Sequence, residues 1–479
     1  MPKSNFFTRH LRDIKESYFV HMCHALGFAR DSLIAFCCFF IHSILPFIFL
    51  TAGSSITRRL LDRINFRTKL FNLSIANEKH VAIVGFGLGG LVTFFNLVKN
   101  HQENSGKLVV RIFEKSPLFL KGNAYSTKNP NHLLNVVANR MGVVEEDQGH
   151  FFKWLCSKGY NYQENDFVPR QIFGIYLEDL LQTALRIAEK KNISYEFRIK
   201  EISEITDKKN YFWIDGDLHQ SCVLAIGPQL KDSKKSFWRI DLESYLADEE
   251  IHILGCGLTA IDAVISLRDL KYSGKIFLHS RRGILSQPHK FFSNQERVES
   301  PLNLEDSDLP LSQIFRKFIN ACKKSSDWRL AFDAFRPRTQ KFWMVLDLEK
   351  KKRFMRHCFR LWNVHRHRCP ESQFKVIEGM MKSGQLSIQK GRVSKEKMID
   401  CTGFDYGFES DLISNLLKNN LVKFDDLRAG LIPKHENIFF TAGLNFGSLF
   451  EITAAPDIAP HARKIADKIN KMDPYSFLK

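Results

Sequence analysis

The chain of 479 residues is 44% apolar and 25% charged, the balance of an ordinary globular protein with room for about three domain-sized units. Its net charge of +18 suits nucleic acid, anionic lipid or acidic substrates, but the 42 phenylalanines fall within apolar patterns instead of alternating with cations. That excludes a base-stacking surface, and no nucleic-acid partner is expected. Ten scattered cysteines, of which only Cys37 and Cys38 are neighbours and none form C-x-x-C, exclude a secreted disulfide framework, a zinc centre and a redox-active cysteine pair. No metal site is expected.

Residues 1–77 read as an N-terminal extension. Within it Leu33 to Gly53 carries no formal charge, and as a helix it would span about 31 Å at 1.5 Å per residue, close to the ~30 Å of a hydrocarbon core. His42 and Pro46 weaken that reading. Arg58, Arg59, Arg63, Arg67 and Lys69 follow the run, so the positive-inside rule leaves the rest of the chain on the cytoplasmic face of the membrane. Three readings stay open: a single membrane anchor at 33–53, a hydrophobic extension of a cytoplasmic protein that packs elsewhere or stems from an early start codon, and a cleaved signal.

The next unit is strand, turn, helix. Val81 to Val84 is an apolar run, Gly85, Gly87, Gly89 and Gly90 form a glycine-rich turn, and Leu91, Phe94, Phe95 and Val98 repeat at helical spacing. Glycines let backbone approach a pyrophosphate, whose charge meets the unpaired amides and positive dipole end of the helix. A second strand, Leu108 to Phe113, delivers Glu114, placed to accept from ribose hydroxyls. The residues point to an adenine dinucleotide without a ribose phosphate, FAD or NAD.

The plan recurs 170 residues later. Ile251 to Leu254 precedes Gly255, Gly257, Thr259 and Ala260, a helical pattern runs to Leu270, and the following strand, Lys275 to His279, ends in Ser280-Arg281-Arg282-Gly283. Cations here replace the acid. A guanidinium clamps a 2'-phosphate with paired hydrogen bonds where a carboxylate would repel it, so NADPH fits better than NADH. Helical patterns also occur at Phe151 to Leu155 and Tyr176 to Ala188. Val223 to Pro228, Met398 to Gly403 and Ile438 to Gly443 read as buried strands closing on glycine or proline, the last delivering Gly443.

Gly122-x-Ala124-Tyr125-Ser126, Leu133-Leu134-Asn135, Val168-Pro169-Arg170, Gly257-Leu258-Thr259 with Asp262, Ser280-Arg281-Arg282-Gly283 before Pro288-His289, Arg336-Pro337, His365-Arg366-His367-Arg368, and Gly447-x-Leu449-x-Glu451-x-Thr453 follow one another in order. Over residues 78–470 this series resembles the family of FAD/NAD(P)-binding proteins that includes flavin-dependent urate hydroxylase and the aspartate N-monooxygenase that forms nitrosuccinate. Ile226 stands where the family commonly has threonine, and Asp457 where it commonly has glutamate. The resemblance implies an α/β fold of two Rossmann-like dinucleotide-binding domains, for FAD and NADP, the second inserted in the first. Residues 78–232 would form the first part of the FAD domain, 233–400 the NAD(P) domain with a mostly helical insertion at about 290–385, and 401–479 the rest of the FAD domain. An N-terminal hydrophobic helix would precede both.

The resemblance implies FAD and NADPH as cofactors, and a monooxygenase hydroxylating a small polar substrate with molecular oxygen through a flavin hydroperoxide. The flavin does the difficult chemistry in such an enzyme, and few acid or base residues are needed. Asn135, His365 and His367 are the polar catalytic candidates; Arg366 and Arg368 beside them could hold an anionic substrate or NADP phosphates, and a structural polar cluster is the alternative. Glu451 and Thr453 are expected where the chain returns to the flavin, although helix capping alone would account for Thr453. The competing function is a non-catalytic flavin- or nucleotide-binding module attached to a membrane or partner.

Overall fold

The computed structural model describes residues 18–472 except 77, 103–104, 117–118, 145–146, 209–210, 228, 231–233, 294–295, 392–396 and 406–409. Residues 1–17, Pro228, the expected boundary at 232/233 and the side chain of Arg67 therefore lie outside the described residues.

Two parallel sheets organise the chain. In the first, the spatial order of strands is Ile438–Phe440, Ser221–Leu224, Glu78–Val84, Lys107–Glu114, Ser194–Ile199. Val81 to Val84 are almost wholly buried, as expected of a central parallel strand covered on both faces. The helix Leu88–Asn100 makes the crossover to the second strand, and the C-terminal helix Ala455–Lys471 packs against it. Val84 lies opposite both Phe113 and Leu224, and Phe440 lies opposite Leu224. Gly85, Glu114, Ala225 and Thr441 are therefore neighbours along one carboxyl edge, where open α/β sheets place their ligands.

The second sheet orders Leu386–Lys390, Lys275–Ser280, Glu250–Leu254, Ile399–Asp400, all parallel, with the helix Leu258–Asp269 as its first crossover. The chain leaves the first sheet through Gln229–Leu230 and returns through Phe404–Asp405, and these two segments pair antiparallel. One dinucleotide-type fold is thus inserted into another, and the fold is α/β.

Between Lys275–Ser280 and Leu386–Lys390 the chain builds short helices from Leu311–Lys324 to Glu371–Lys382. Their core is aromatic: Phe318, Phe332, Phe335, Phe342, Trp343 and Phe354 bury one another and close on Phe446 and Phe450 of the returning chain. Trp343 stacks on Phe450 with centroids 4.4 Å apart and donates from Nε1 to Gly447 O at 2.8 Å. Nine of the 42 phenylalanines lie in or against this cluster.

The N-terminal extension corrects one expectation. Leu33 to Gly53 is not one helix; a helix Tyr18–Ile44 ends before Pro46, and a second helix, Ala52–Ala76, runs back beside it. Pro46 has no N–H to continue the ladder and its ring would crowd the carbonyl four residues earlier. Among the described residues, the helix long and apolar enough to cross a membrane is His21–Ile44, displaced from the expected run.

Candidate functional site

Both glycine turns have the same backbone. Gly85 has φ +93° and Gly255 φ +124°, left-handed conformations that side chains rarely adopt. A Cβ on Gly85 would sit 2.6 Å from Ala225 O, and one on Gly255 would sit 2.5 Å from Cys401 O. Gly89 and Gly90 are equally tight, against Thr441 Oγ1 and Gly85 O, and Ala260 is fully buried in its helix. The middle glycines differ from all of these. Around Gly87 and Gly257, each the residue before a helix, a Cβ would meet no atom within 4 Å, and neither helix start is capped by a side chain. Open space in front of uncapped amide groups fits a pyrophosphate.

The end of the next strand sets the two cradles apart. Glu114 Oε2 accepts from Phe86 N–H at 2.7 Å and Oε1 from Ser116 N–H at 3.1 Å, fixing the carboxylate beside the first turn. A carboxylate offers about four lone-pair sites, so acceptors remain for ribose hydroxyls. In the second unit Ser280 Oγ accepts from Gly283 N–H at 2.9 Å and holds the bend, leaving Arg281 and Arg282 exposed. Arg282 Nη2 donates to His357 O at 2.9 Å. Thr259 is half-buried in the first turn of its helix. Cys256, within the turn, is buried, which raises its thiol pKa; it is a packing residue and not a nucleophile.

A buried seam fixes one cradle against the other. Arg170 Nη1 pairs with Asp262 Oδ2 at 2.9 Å with the two side chains 12% and 2% exposed. The Arg170 Nε also donates to Leu133 O, and His132 Nε2 lies 2.8 Å from Ser266 Oγ. Burial lowers the His132 pKa and raises that of Asp262. The seam thus joins the Leu133-Leu134-Asn135 loop to the helix of the second cradle.

Asn135 is half-buried, and its carbonyl lies 3.1 Å from His289 Nε2. His289 is pushed down to about 3, by burial first and then by Arg368, Arg366 and Arg336. His367, the C-cap of Phe359–Arg366, is lowered to about 4 by desolvation and then by Arg366. Both rings are neutral at pH 7. His365 has a different setting: Nδ1 lies 2.7 Å from Leu361 O and the ring packs on Trp328 and Phe332. Those are the contacts of a packing residue within the insertion, and they do not bring His365 to Asn135.

Gly443 lies in a short turn after Ile438–Phe440. Glu451 is 6% exposed and both its carboxylate oxygens are engaged: Oε2 accepts from Arg366 Nε and Nη2, each at 3.0 Å, and Oε1 from Trp362 Nε1 at 2.9 Å. It ties the returning chain to the insertion. Thr453 is exposed and does not cap the C-terminal helix; the N-cap is Ala454, which has no capping side chain. The capping account of Thr453 is thereby replaced by a third uncapped helix start at the same edge.

Arg336 and Asp457, which the sequence marks only as a point of resemblance and a departure from it and not as site residues, complete the cluster. Burial lowers the Arg336 pKa and raises that of Asp457, and each lies within electrostatic reach of the other and of Arg366 and Glu451. Arg368, 3% exposed, pairs with Asp333, while its Nε and Nη1 have no hydrogen-bond partner among the described residues. The signal available was an arginine set between an aromatic run and a proline, Phe335-Arg336-Pro337.

This arrangement defines a class: an α/β fold of the FAD- and NAD(P)-binding flavoprotein type. The family described as FAD-NAD(P)-binding matches residues 82–228, from the first strand to beyond Ser221–Leu224. A separate family of unknown function matches residues 4–67. No curated protein matches the chain. Among solved structures, the reduced form of ornithine hydroxylase from Pseudomonas aeruginosa is 15% identical with a TM-score of 0.52, covering 84% of this chain and 100% of that one. The cadaverine monooxygenase from Erwinia amylovora, bound to FAD, is 12% identical with a TM-score of 0.50, covering 82% and 95%. At such identities the likeness is one of fold. Membership in the urate hydroxylase and aspartate monooxygenase family is not among these matches, and the coarser assignment stands.

Proposed function

We propose that this chain is an FAD-dependent oxidoreductase that takes electrons from NADPH and hydroxylates a small polar, anionic molecule. The observation that carries the reading is the pair of like cradles, each with an open middle glycine, one followed by Glu114 and the other by Arg281 and Arg282. Gly85, Gly87, Gly89, Gly90 and Glu114 would hold FAD at the first, and Gly255, Gly257, Thr259 and Ala260 the NADPH pyrophosphate at the second. Arg281 and Arg282 would bind its 2'-phosphate. Bound flavin supplies hydride acceptance and reaction with oxygen.

The protein's own part is placement. The Arg170–Asp262 pair holds the second cradle against the loop that carries Asn135, and the insertion closes over the returning chain through Glu451, Arg366 and Trp362. Neutral His289 and His367 keep the region between the arginines free of further positive charge. The two unpartnered nitrogens of Arg368, with Arg336 nearby, are donors suited to a substrate carboxylate or comparable anion. The test is an absorbance spectrum of the purified chain, followed anaerobically on adding NADPH and then on admitting air. A flavin spectrum that bleaches and then returns is expected; a colourless protein, or flavin that NADPH leaves oxidised, overturns the reading.

A further inference from the structure

We propose that the N-terminal hairpin is a one-leaflet membrane wedge: it dips its tip into the hydrocarbon of an anionic bilayer and returns to the same side, without spanning. This inference is independent of the cofactor reading.

The two helices lie antiparallel in a definite register. Phe39 packs where a Cβ on Gly53 would be 2.9 Å from its ring, Asp31 pairs with Arg63, and Arg63 in turn lies against Gly27 and 4.8 Å from the Phe28 ring centroid. The base is fastened to the body, since Lys69 pairs with Asp217 at 2.5 Å and also donates to Gly216 O.

Charge divides the hairpin across its length. From Ser32 to Thr57 there is no charged residue, whereas Arg30, Asp31, Arg58, Arg59 and Arg63 form a collar at the level where that stretch begins and ends. Arg58 and Arg59 are exposed. Beyond the collar no exposed side chain is charged: small polar residues such as Ser43, Thr51, Ser54 and Ser55 are exposed, but the large exposed side chains are apolar, with Phe36 64% exposed, Phe47 73% and Leu50 71%. Loops at a water-exposed surface are normally polar, but this one reads Leu45-Pro46-Phe47-Ile48-Phe49-Leu50.

Length decides between a wedge and a span. Leu33 to Ile44 rises about 18 Å at 1.5 Å per residue, near the ~15 Å of one leaflet's hydrocarbon and well short of ~30 Å. A true span by His21–Ile44 would bury Arg30 and Asp31 and oblige Arg58, Arg59, Asp62 and Arg63 to recross, at about 2.5 kcal/mol or more per charge near the centre. The turn also limits its unsatisfied backbone. Pro46 has no N–H, Leu45 N–H bonds Ile41 O at 2.7 Å, Ile48 N–H bonds Leu45 O at 3.0 Å, and the His42 Nδ1 lies 2.8 Å from Ile48 O. An apolar tip below a basic collar is the pattern of an interfacial anchor on anionic lipid.

The experiment is flotation of the full chain, carrying an N-terminal tag, with phosphatidylcholine vesicles with and without phosphatidylserine. Flotation is expected, stronger with phosphatidylserine and weakened by salt, with the tag and the enzyme body digested from the same side. The combined variant Phe47→Asp, Phe49→Asp, Leu50→Asp should lower the vesicle-bound fraction by at least about tenfold, while its circular dichroism and thermal unfolding match the parent. Failure to float, or a tag protected when the body is digested, overturns the wedge. So does lipid-free self-association that the same variant abolishes, since the tip would then cover a second copy of the chain.

Discussion

The two glycine cradles have nearly the same backbone and opposite sequels. Gly85 and Gly255 both press against the carbonyl of a neighbouring strand, and Gly87 and Gly257 both face open space. One step further on, Glu114 is bound by two backbone amides, while Arg281 and Arg282 are exposed, the latter with one hydrogen bond to His357 O. In the proposed function, recognition of a pyrophosphate would be a property of the turn, whereas the choice of nucleotide would belong to the end of the following strand. The first is built into main chain; the second is adjustable by side chain.

The comparison breaks most cleanly at the middle glycines. Gly87→Val fills the open space before the first helix and should lower flavin occupancy by about a hundredfold or more, giving a colourless purified protein; normal occupancy would place flavin elsewhere. Gly257→Val should leave the protein yellow but abolish its anaerobic bleaching by NADPH. Equal loss of colour in both variants would mean that the cradles do not divide the two nucleotides as assigned. The Arg281→Ala, Arg282→Ala double variant tests the sequel: charged hydrogen bonds worth about 1.5–3 kcal/mol translate to a roughly ten- to hundredfold higher KM for NADPH with little change for NADH. Parallel changes in both would remove the 2'-phosphate clamp.

The smallest effect compares acid sensitivity in the two halves. His219, in the first unit, is held near 3 and His367, within the insertion, near 4, both by burial. The unfolded chain protonates these rings near 6.5 and the folded chain does not, so stability is greatest above about pH 6.5 and falls as the pH drops towards those values. For fully buried His219 the slope approaches about 1.4 kcal/mol per pH unit. Urea midpoints at pH 7 and pH 5 should differ less in His219→Gln and in His367→Gln than in the parent, by similar margins because both folded values lie below pH 5; an unchanged difference would refute the buried-neutral assignment.

Local features were the legible ones. Each cradle is a strand, a turn and a helix within a short stretch, so its glycines, Glu114 and the arginine pair could be read from spacing, and the α/β fold followed. Glu451 was placed by its neighbours in sequence, but its partners Arg366 and Trp362 lie 85 and 89 residues away, so its structural role emerges only from packing. The same holds for the Arg170–Asp262 seam. His365 looked equivalent to His367 in an alternating row, yet a helix end turns one ring onto Trp328 and the other towards the arginines. The N-terminal extension shows the opposite: Pro46 carries the signal for a helix break, and its missing N–H outweighs the continuous hydrophobicity around it.

The antiparallel pairing of Gln229–Leu230 with Phe404–Asp405 has a consequence for the order of assembly. The host sheet needs Ile438–Phe440 as its last strand, whereas every strand of the guest sheet has been synthesised by residue 400. A ribosome extending this polypeptide releases the complete guest first. The portion begun earliest is sealed last, and until then its edge strand Ser221–Leu224 waits without a neighbour on one side, which makes that interval the time when a chaperone is most needed.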